Sequence, residues 1–348
     1  MNTGHNHHQG DFHTDDIQDA EFQDAEIIDE THEQEAPKSH HQASAQDSLD
    51  VEIEDDNTRA LALQSGDVDM AQGIRAGDIA LFTDNKDYIV KTTTGTRIEF
   101  LTMNTVKSVL SDKNLRLAVN SAVDYDTIAK VVGGGAVAAR APFPASAPYG
   151  YDELNKQTFD LEKAKTLLAE AGYKDTDNDG YVDKDGKNLE LNIYGTAGGN
   201  TRANSTVAEL LESQLKTAGI KANIKIAENL EDIKKNLEFD LLFQNWQTVS
   251  TGDSQWFLDN AFKTDGSGNY GKYSNKELDD LINKLATTFD VKEREKITKE
   301  ASQLIIDEGY GTYIVSQANV NVSNNKVENM HNFPIDYYFL TADTKITK

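Results

Sequence analysis

Cysteine is absent from the 348 residues. That excludes disulfide scaffolds, thiolate metal sites, cysteine nucleophiles and a lipid-modified cysteine on the chain as written. Positive charge is in the minority: 34 Lys+Arg stand against 59 Asp+Glu, a net charge of −25. A nucleic-acid partner, which requires a basic footprint, is excluded by that balance. No apolar run approaches the ~18 residues of a membrane span. The opening MNTGHNHHQGDFH has no cationic cluster followed by an apolar stretch, so no secretory signal is read there. Proline is scarce, at five residues, and the motifs G-x-S-x-G, H-E-x-x-H and G-x-x-x-x-G-K-[ST] do not occur. Enzymatic readings are left without a carrier.

What is present divides at about residue 50. Residues 1–50 hold thirteen acids, one lysine (Lys38) and seven of the eight histidines. Their only aromatics are Phe12 and Phe22. So little apolar surface cannot offset the chain entropy lost on ordering, and a disordered acidic tail is expected. His5, His7, His8 and His13 are clustered enough for weak, unselective capture of Ni²⁺ or Zn²⁺.

From Val51 the composition is that of an α/β protein. VEIE (51–54) reads as a strand end, and Asn57 as the cap of a short helix ending at Gly66. Strands are expected at Tyr88–Thr92 and Arg97–Asn104, joined by a TTGT turn. Helices follow, capped by Ser111 or Asp112, by Asp124 and by Asp160. The stretch 141–151, with three prolines, must be loop. Beyond it come strand 189–195, helix 206–219, strand 220–226, helix Leu230–Leu237 and strand 239–246. A capping box at Ser274 and Glu277 opens one further helix, and Asp290 opens another running to about Glu308. Alternation of strand and helix after residue 189 implies βαβ units in a mixed sheet, and residues 313–348 read as β-rich.

An ordered succession of segments then resembles the extracellular solute-binding proteins, family 5, of ABC importers for peptides and nickel. These are ALALQSGDVDMAQGI (60–74), the run LTMNTVKSVLSDKNLRLAVNSAVDYDTIAK onward from 101 to 144, and FDLEKAKTLLAEAGYKDTDNDGYVDKDGK (159–187). QLKTAGIKANIKI (214–226), GDSQWFLDNAF, YSNKELDDLINKLATTFD and KEREKITKEASQLIIDE continue it. The resemblance implies a type II periplasmic-binding-protein-like α/β fold. In that fold two lobes are joined by two crossover strands and close over a ligand by a hinge. It implies a remnant of lobe I with a crossover strand at 51–103, lobe II at 104–312, and a return to lobe I at 313–348. Family members carry a signal sequence, a lipidated cysteine and most of lobe I ahead of the position of Val51. A truncated or rearranged gene, a wrongly joined frame and a genuine appendage all fit that difference. The remnant is expected to be poorly ordered or association-prone, because its strands would have unpaired edges. Cell-surface or periplasmic placement is implied by the resemblance. The chain as written, without signal peptide or lipobox, is expected to be cytoplasmic.

The implied role is the binding component of an importer. It would hand a nickel chelate or a small peptide to permease subunits as a monomer, without catalysis or a required cofactor. A metal-buffering protein acting through the His-rich tail is the alternative, and a nonfunctional fragment a third reading. Trp246, ending a strand at its carboxyl end, is the residue placed to face the cleft and stack on a ligand. Asn245, Gln247, Thr248 and Asp253 are its polar companions. In peptide-binding relatives an aspartate just after the equivalent tryptophan pairs with the peptide amino terminus, where this chain has Thr248 and Val249. Trp256 and Phe257 read as core aromatics of the following helix. Arg140, in the proline-rich loop, can meet a carboxylate bidentately, and Tyr149 shares that loop.

A last motif, DTDNDGYVDKDG (175–186), resembles an EF-hand loop. Asp175, Asp177, Asp179 and Gly180 fit positions one, three, five and six, and Asp183 fits position nine. Position twelve, normally a bidentate Glu, is Gly186, so any calcium site is weak.

Overall fold

The computed structural model describes residues 53, 56–337 and 340–347. The acidic tail with its histidines, and the VEIE strand apart from Ile53, lie outside the described residues.

The first elements are helix α1 (Asp56–Ser65), strand β1 (Met70–Gln72), the short helix α2 (Ala80–Thr83) and the long strand β2 (Tyr88–Met103). Helices α3 (Lys113–Ala122) and α4 (Tyr125–Val132) follow, then β3 (Val137–Ala138), α5 (Leu161–Glu170) and a small hairpin, β4 (Asp183–Lys184) and β5 (Lys187–Asn188). Next come β6 (Glu190–Gly195), α6 (Ser205–Thr217), β7 (Lys221–Ile226), α7 (Glu231–Asn236) and β8 (Leu241–Gln247). Helices α8 (Gln255–Ala261), α9 (Lys276–Thr287) and α10 (Val291–Glu308) lead into β9 (Thr312–Asn324), and β10 (Val327–Glu328) pairs with β11 (Lys345–Ile346).

The aspartate caps hold the helices as the sequence predicts. Asp112 accepts from Asn114 N–H, Asp124 from Thr127 N–H, Asp160 from Lys163 N–H and Asp290 from Glu293 N–H, each satisfying a donor the helix itself cannot. Two caps differ from the prediction. Helix α1 already begins at Asp56, which places Asn57 inside its first turn. Helix α9 is capped by Asn275, whose Oδ1 accepts from Leu278 N–H; the neighbouring Ser274 hydroxyl faces Thr264 instead.

One seven-stranded sheet organises the described residues, in the order β1-β9-β2-β8-β6-β7 with β3 also on β9. Strands β6, β7 and β8 are mutually parallel and the remaining pairs are antiparallel, a mixed sheet as expected. The expected turn at TTGT does not exist, because β2 runs unbroken for 16 residues. Its threonines are β-branched and favour extended backbone. Gly95 is there for close approach, since a Cβ on it would lie 2.6 Å from Gln317 O. At that point the pairing of β2 with β9 shifts register, between Thr94 and Ile98.

Strand alternation sorts the core. Leu101, Met103, Leu241 and Phe243 face α3–α6 in one apolar cluster with Leu191, Ile193, Leu211 and Leu215. Ile98, Phe100 and Trp246 face the opposite way, against Phe257, Leu278, Ile282 and Ile305 of α8–α10. Beyond Gly95 the same two long strands enter a third cluster, formed by Ala60, Leu63, Ala71, Ile74, Phe82, Val320 and Val322. The segment expected to be a poorly ordered remnant of lobe I is thus packed. It covers one face of the β2–β9 ladder with α1 and α2, and its outer strand β1 is only three residues long, which limits the free edge.

Phe82 is fully buried there, edge-on to Tyr88 with ring centroids 5.0 Å apart. Phe82→Ala should destabilise the protein by about 3–5 kcal/mol. Limited proteolysis checks the same point: the wild type should keep a resistant fragment beginning before residue 60, and the variant should be trimmed towards β2.

Candidate functional site

The carboxyl end of β8 lies beside the long strand β2, with β6 next beyond it, and the helices that follow β6 and β8 pack on opposite faces of the sheet. In open α/β sheets this is where ligands bind. Strand β8 delivers Asn245, Trp246 and Gln247 there, opposite Glu99, Ile98 and Arg97 of β2.

Trp246 is only 9% exposed. Its ring lies against Phe257 (5.9 Å, edge-on) and Trp256 (5.8 Å, tilted), and Gly268 lets the backbone pass, since a Cβ there would fall 2.4 Å from the indole. The indole Nε1 is buried with no hydrogen-bond partner. Phe257 is core, as predicted, but Trp256 is not: it is 45% exposed, because α8 buries Phe257, Leu258 and Ala261 and turns Trp256 outward. The solvent-facing aromatic of the pair is therefore Trp256, with Trp246 beneath it.

The polar companions are largely engaged within the chain. Gln247 takes the Thr96 hydroxyl at Oε1 and donates from Nε2 to Asp336 Oδ1 at 2.9 Å. Asp336 also holds Arg97 Nε at 2.7 Å, and Thr96 N–H donates to Pro334 O at 2.9 Å, so the segment after β10 crosses the long strands at this point. Thr248 is fully buried and donates to Thr96 O at 2.9 Å. Asn245 is 8% exposed and its Oδ1 has no partner.

Asp253, Arg140 and Tyr149 are held elsewhere. Asp253 receives Arg294 Nε at 2.9 Å and Nη2 at 2.5 Å, and caps Gln255 N–H at 2.8 Å. Burial would raise this carboxyl, but those hydrogen bonds outweigh it and hold it below the usual carboxylate range. Arg140 meets a carboxylate of its own chain, Asp126, while its N–H pairs with Tyr313 O. Tyr149 packs edge-on to Phe143 at 4.9 Å, and burial, with Asp253 adding to it, pushes its hydroxyl up to about 12.

The acidic loop behaves differently from an EF hand. Asp175, Asp177 and Asp183 bring carboxylate oxygens within 4.8 Å of one another. Asp179 turns to Tyr181 N–H and Asn188 Nδ2, and Asp183 already accepts from Thr176 N–H and its hydroxyl. Gly186 sits in the β4–β5 turn, where the chain forms a hairpin instead of a helix. The His5, His7, His8 and His13 cluster lies outside the described residues.

One residue the sequence reading passes over is central. Glu99 is 1% exposed and faces the α6 end of the sheet, where Asn204 N–H donates to its Oε1 at 3.3 Å. Burial raises its carboxyl to about 7, against the smaller opposing effects of that hydrogen bond, Arg202 and Gln317. The signal was available: R-I-E-F-L-T-M alternates Arg97, Glu99, Leu101 and Met103 on one face, so polar positions sit in line with a buried row.

The model of the bacterial extracellular solute-binding proteins, family 5, matches residues 41–269. The chain belongs to that family. The nickel-binding protein NikA of Staphylococcus aureus is 30% identical over 298 residues, covering 85% of this chain and 58% of NikA. The oligopeptide-binding protein AppA of Bacillus subtilis is 28% identical over 269 residues, covering 75% of this chain and 49% of AppA. The crystal structure of S. aureus NikA in complex with Ni(L-His)2 superposes with a TM-score of 0.68 at 28% identity, covering 84% of this chain and 61% of that one. AppA in complex with a nonapeptide gives a TM-score of 0.70. The chain thus spans about half to three fifths of the length of these family 5 relatives, and its fold is that of the type II periplasmic binding proteins. Among the described residues no helix is long and apolar enough to cross a membrane.

The raised carboxyl of Glu99 fixes the sign of a pH effect. A folded value near 7 against the ordinary 4.5 means the native state holds this proton more tightly than the unfolded chain. Stability from this group is therefore full below about 4.5 and declines as pH rises through 7. Glu99→Gln should match the wild type in urea unfolding at pH 4.5 and exceed it at pH 8, by on the order of 3 kcal/mol.

Proposed function

We propose that this chain is the solute-gripping part of an ABC-importer binding protein. It would take a nickel chelate or a small peptide between lobes joined by β2 and β9, and hand it to permease subunits at the cell surface. It does no chemistry; affinity comes from desolvating the solute between two surfaces. The observation that carries this reading is the pair of long strands passing directly beside Trp246, with Ile98 opposite Trp246 on one side and Ser316 on the other. A hinge of two strands lets two packed bodies move while their cores stay intact.

A nickel chelate is favoured over a peptide. NikA aligns over more of the chain than AppA, 298 residues against 269. Thr248, fully buried and tied to Thr96, offers no carboxylate for a peptide amino terminus, and Asp253 is neutralised by Arg294. The exposed Trp256 resting on Trp246 is the aromatic platform for imidazole or similar rings. The His-rich tail is a second, weaker nickel site by composition alone.

Calorimetric titration of the full chain separates the two. Ni²⁺ with excess L-histidine should bind saturably, and should still do so when His5, His7, His8 and His13 are all changed to alanine. Trp256→Ala should weaken that binding about tenfold, in keeping with one lost aromatic contact. Metal binding that vanishes with the four histidines, with nothing left for the folded part, would contradict the importer role and favour metal buffering.

A further inference from the structure

Glu99 stands where four elements meet. It is on β2, directly across from Asn245 of β8 and Val315 of β9, and it faces the loop 196–204 between β6 and α6. Cross-strand partners share a face, so the Glu99 and Asn245 side chains stand side by side. Asn245 Oδ1 is a buried acceptor with no donor. A buried acceptor left unmet costs more than a hydrogen bond normally contributes. An ionised carboxylate beside it adds a second acceptor, whereas a protonated one supplies the missing donor.

The other side of Glu99 has the opposite preference. Asn204 N–H donates to Glu99 Oε1 at 3.3 Å, and the exposed Arg202 makes no salt bridge to any carboxylate among the described residues. Both favour the carboxylate. Of the groups packed around it, Gln317 from β9 and Asn245 from β8 are neutral, and Arg97, two residues along the same face, is committed to Asp336. Arg202 is therefore the charge that decides between the states.

The loop itself is exposed from Ala197 to Asn200. A Cβ built on Gly198 or Gly199 would meet nothing within 4 Å, and the loop borders a cavity of about 450 Å³ with the β7–α7 segment Ile226–Lys234. Its internal ties are short-range: Thr196 N–H to Thr201 O at 2.9 Å and Ala203 N–H to Thr196 O at 3.0 Å. Asn204, which ends the loop and caps α6, is the residue through which β2 holds it.

The geometry points to a proton-controlled latch. Glu99 is a positioning residue that, ionised, ties the 196–204 loop to β2 through Asn204 N–H and Arg202. Protonated, it turns its O–H to Asn245 Oδ1 and releases the loop. The proton exchanges with solvent, and no covalent step is involved. The latch stands whether or not the solute is a nickel chelate, because its readout is the loop.

Hydrogen–deuterium exchange on the full chain tests it, with rates corrected for the intrinsic pH dependence of exchange. Between pH 6 and pH 8 the ionised fraction of a carboxyl titrating near 7 rises about tenfold. Protection of amides 202–207 should rise by a similar factor in the wild type and stay flat in Glu99→Gln. Arg202→Gln should move the transition to higher pH. An unchanged pH dependence in Glu99→Gln, or none in the wild type, overturns the latch. Should Glu99→Gln fail to fold, nuclear magnetic resonance of the wild type decides. The Asn204 amide must shift with the same midpoint as the Glu99 carboxyl, and an amide indifferent to that titration overturns the proposal.

Discussion

Strands β2 and β9 pair from Tyr88 opposite Asn324 to Leu101 opposite Thr312, and almost everything else in the described residues hangs on that ladder. Two strands of this length cannot belong to one small core. The first half of β2 and the second half of β9 are buried by α1 and α2, and the other halves become the middle of a sheet sandwiched between helices. The join between these environments is the place where the ladder loses register and Gly95 brings the backbones together. Backbone hydrogen bonds thus carry the connection across a point where side-chain packing changes partners. Such a connection bends more readily than either core deforms, because cores are close-packed.

Polar groups gather at that join. Thr96, Arg97, Gln247 and Asp336 form one hydrogen-bonded set, and Glu99, Asn204 and Asn245 sit beside it. Buried polar groups cost stability unless fully satisfied. Here they are only partly satisfied, as the orphan Asn245 Oδ1 and Trp246 Nε1 testify. An apolar replacement would serve the fold better. Keeping these groups makes sense if the join must also receive something polar from outside the chain, and family 5 membership supplies a reason.

Much of this was legible in the residues. The aspartate caps at 112, 124, 160 and 290 announce their helices because a short acceptor before a periodic run has few other uses. The β6–α6–β7 unit follows from alternation and length. The TTGT segment misled because Gly between threonines signals a turn locally, whereas its actual cause, the approach of Gln317, lies 222 positions away in sequence. Site residues were harder for the same reason. Asp253 and Arg140 look available until α10 and α4 bring Arg294 and Asp126 to them. Trp256 reads as core and is exposed, because exposure depends on how α8 lies against the sheet, which periodicity over seven residues does not determine.

The most direct test of the central claim uses the absence of cysteine. In that background Lys91 and Asn321, direct partners on β2 and β9, can both be changed to cysteine, as can the offset pair Lys91 and Asn319. Cβ atoms of direct cross-strand partners are near enough to be bridged, and those two residues out of register are not. Mass spectrometry after mild oxidation should show the first pair bonded within one chain and the second free. A bond in the offset pair, or in neither, would mean that the two long strands are not joined as described, and the account of a two-strand connection between the cores would be contradicted.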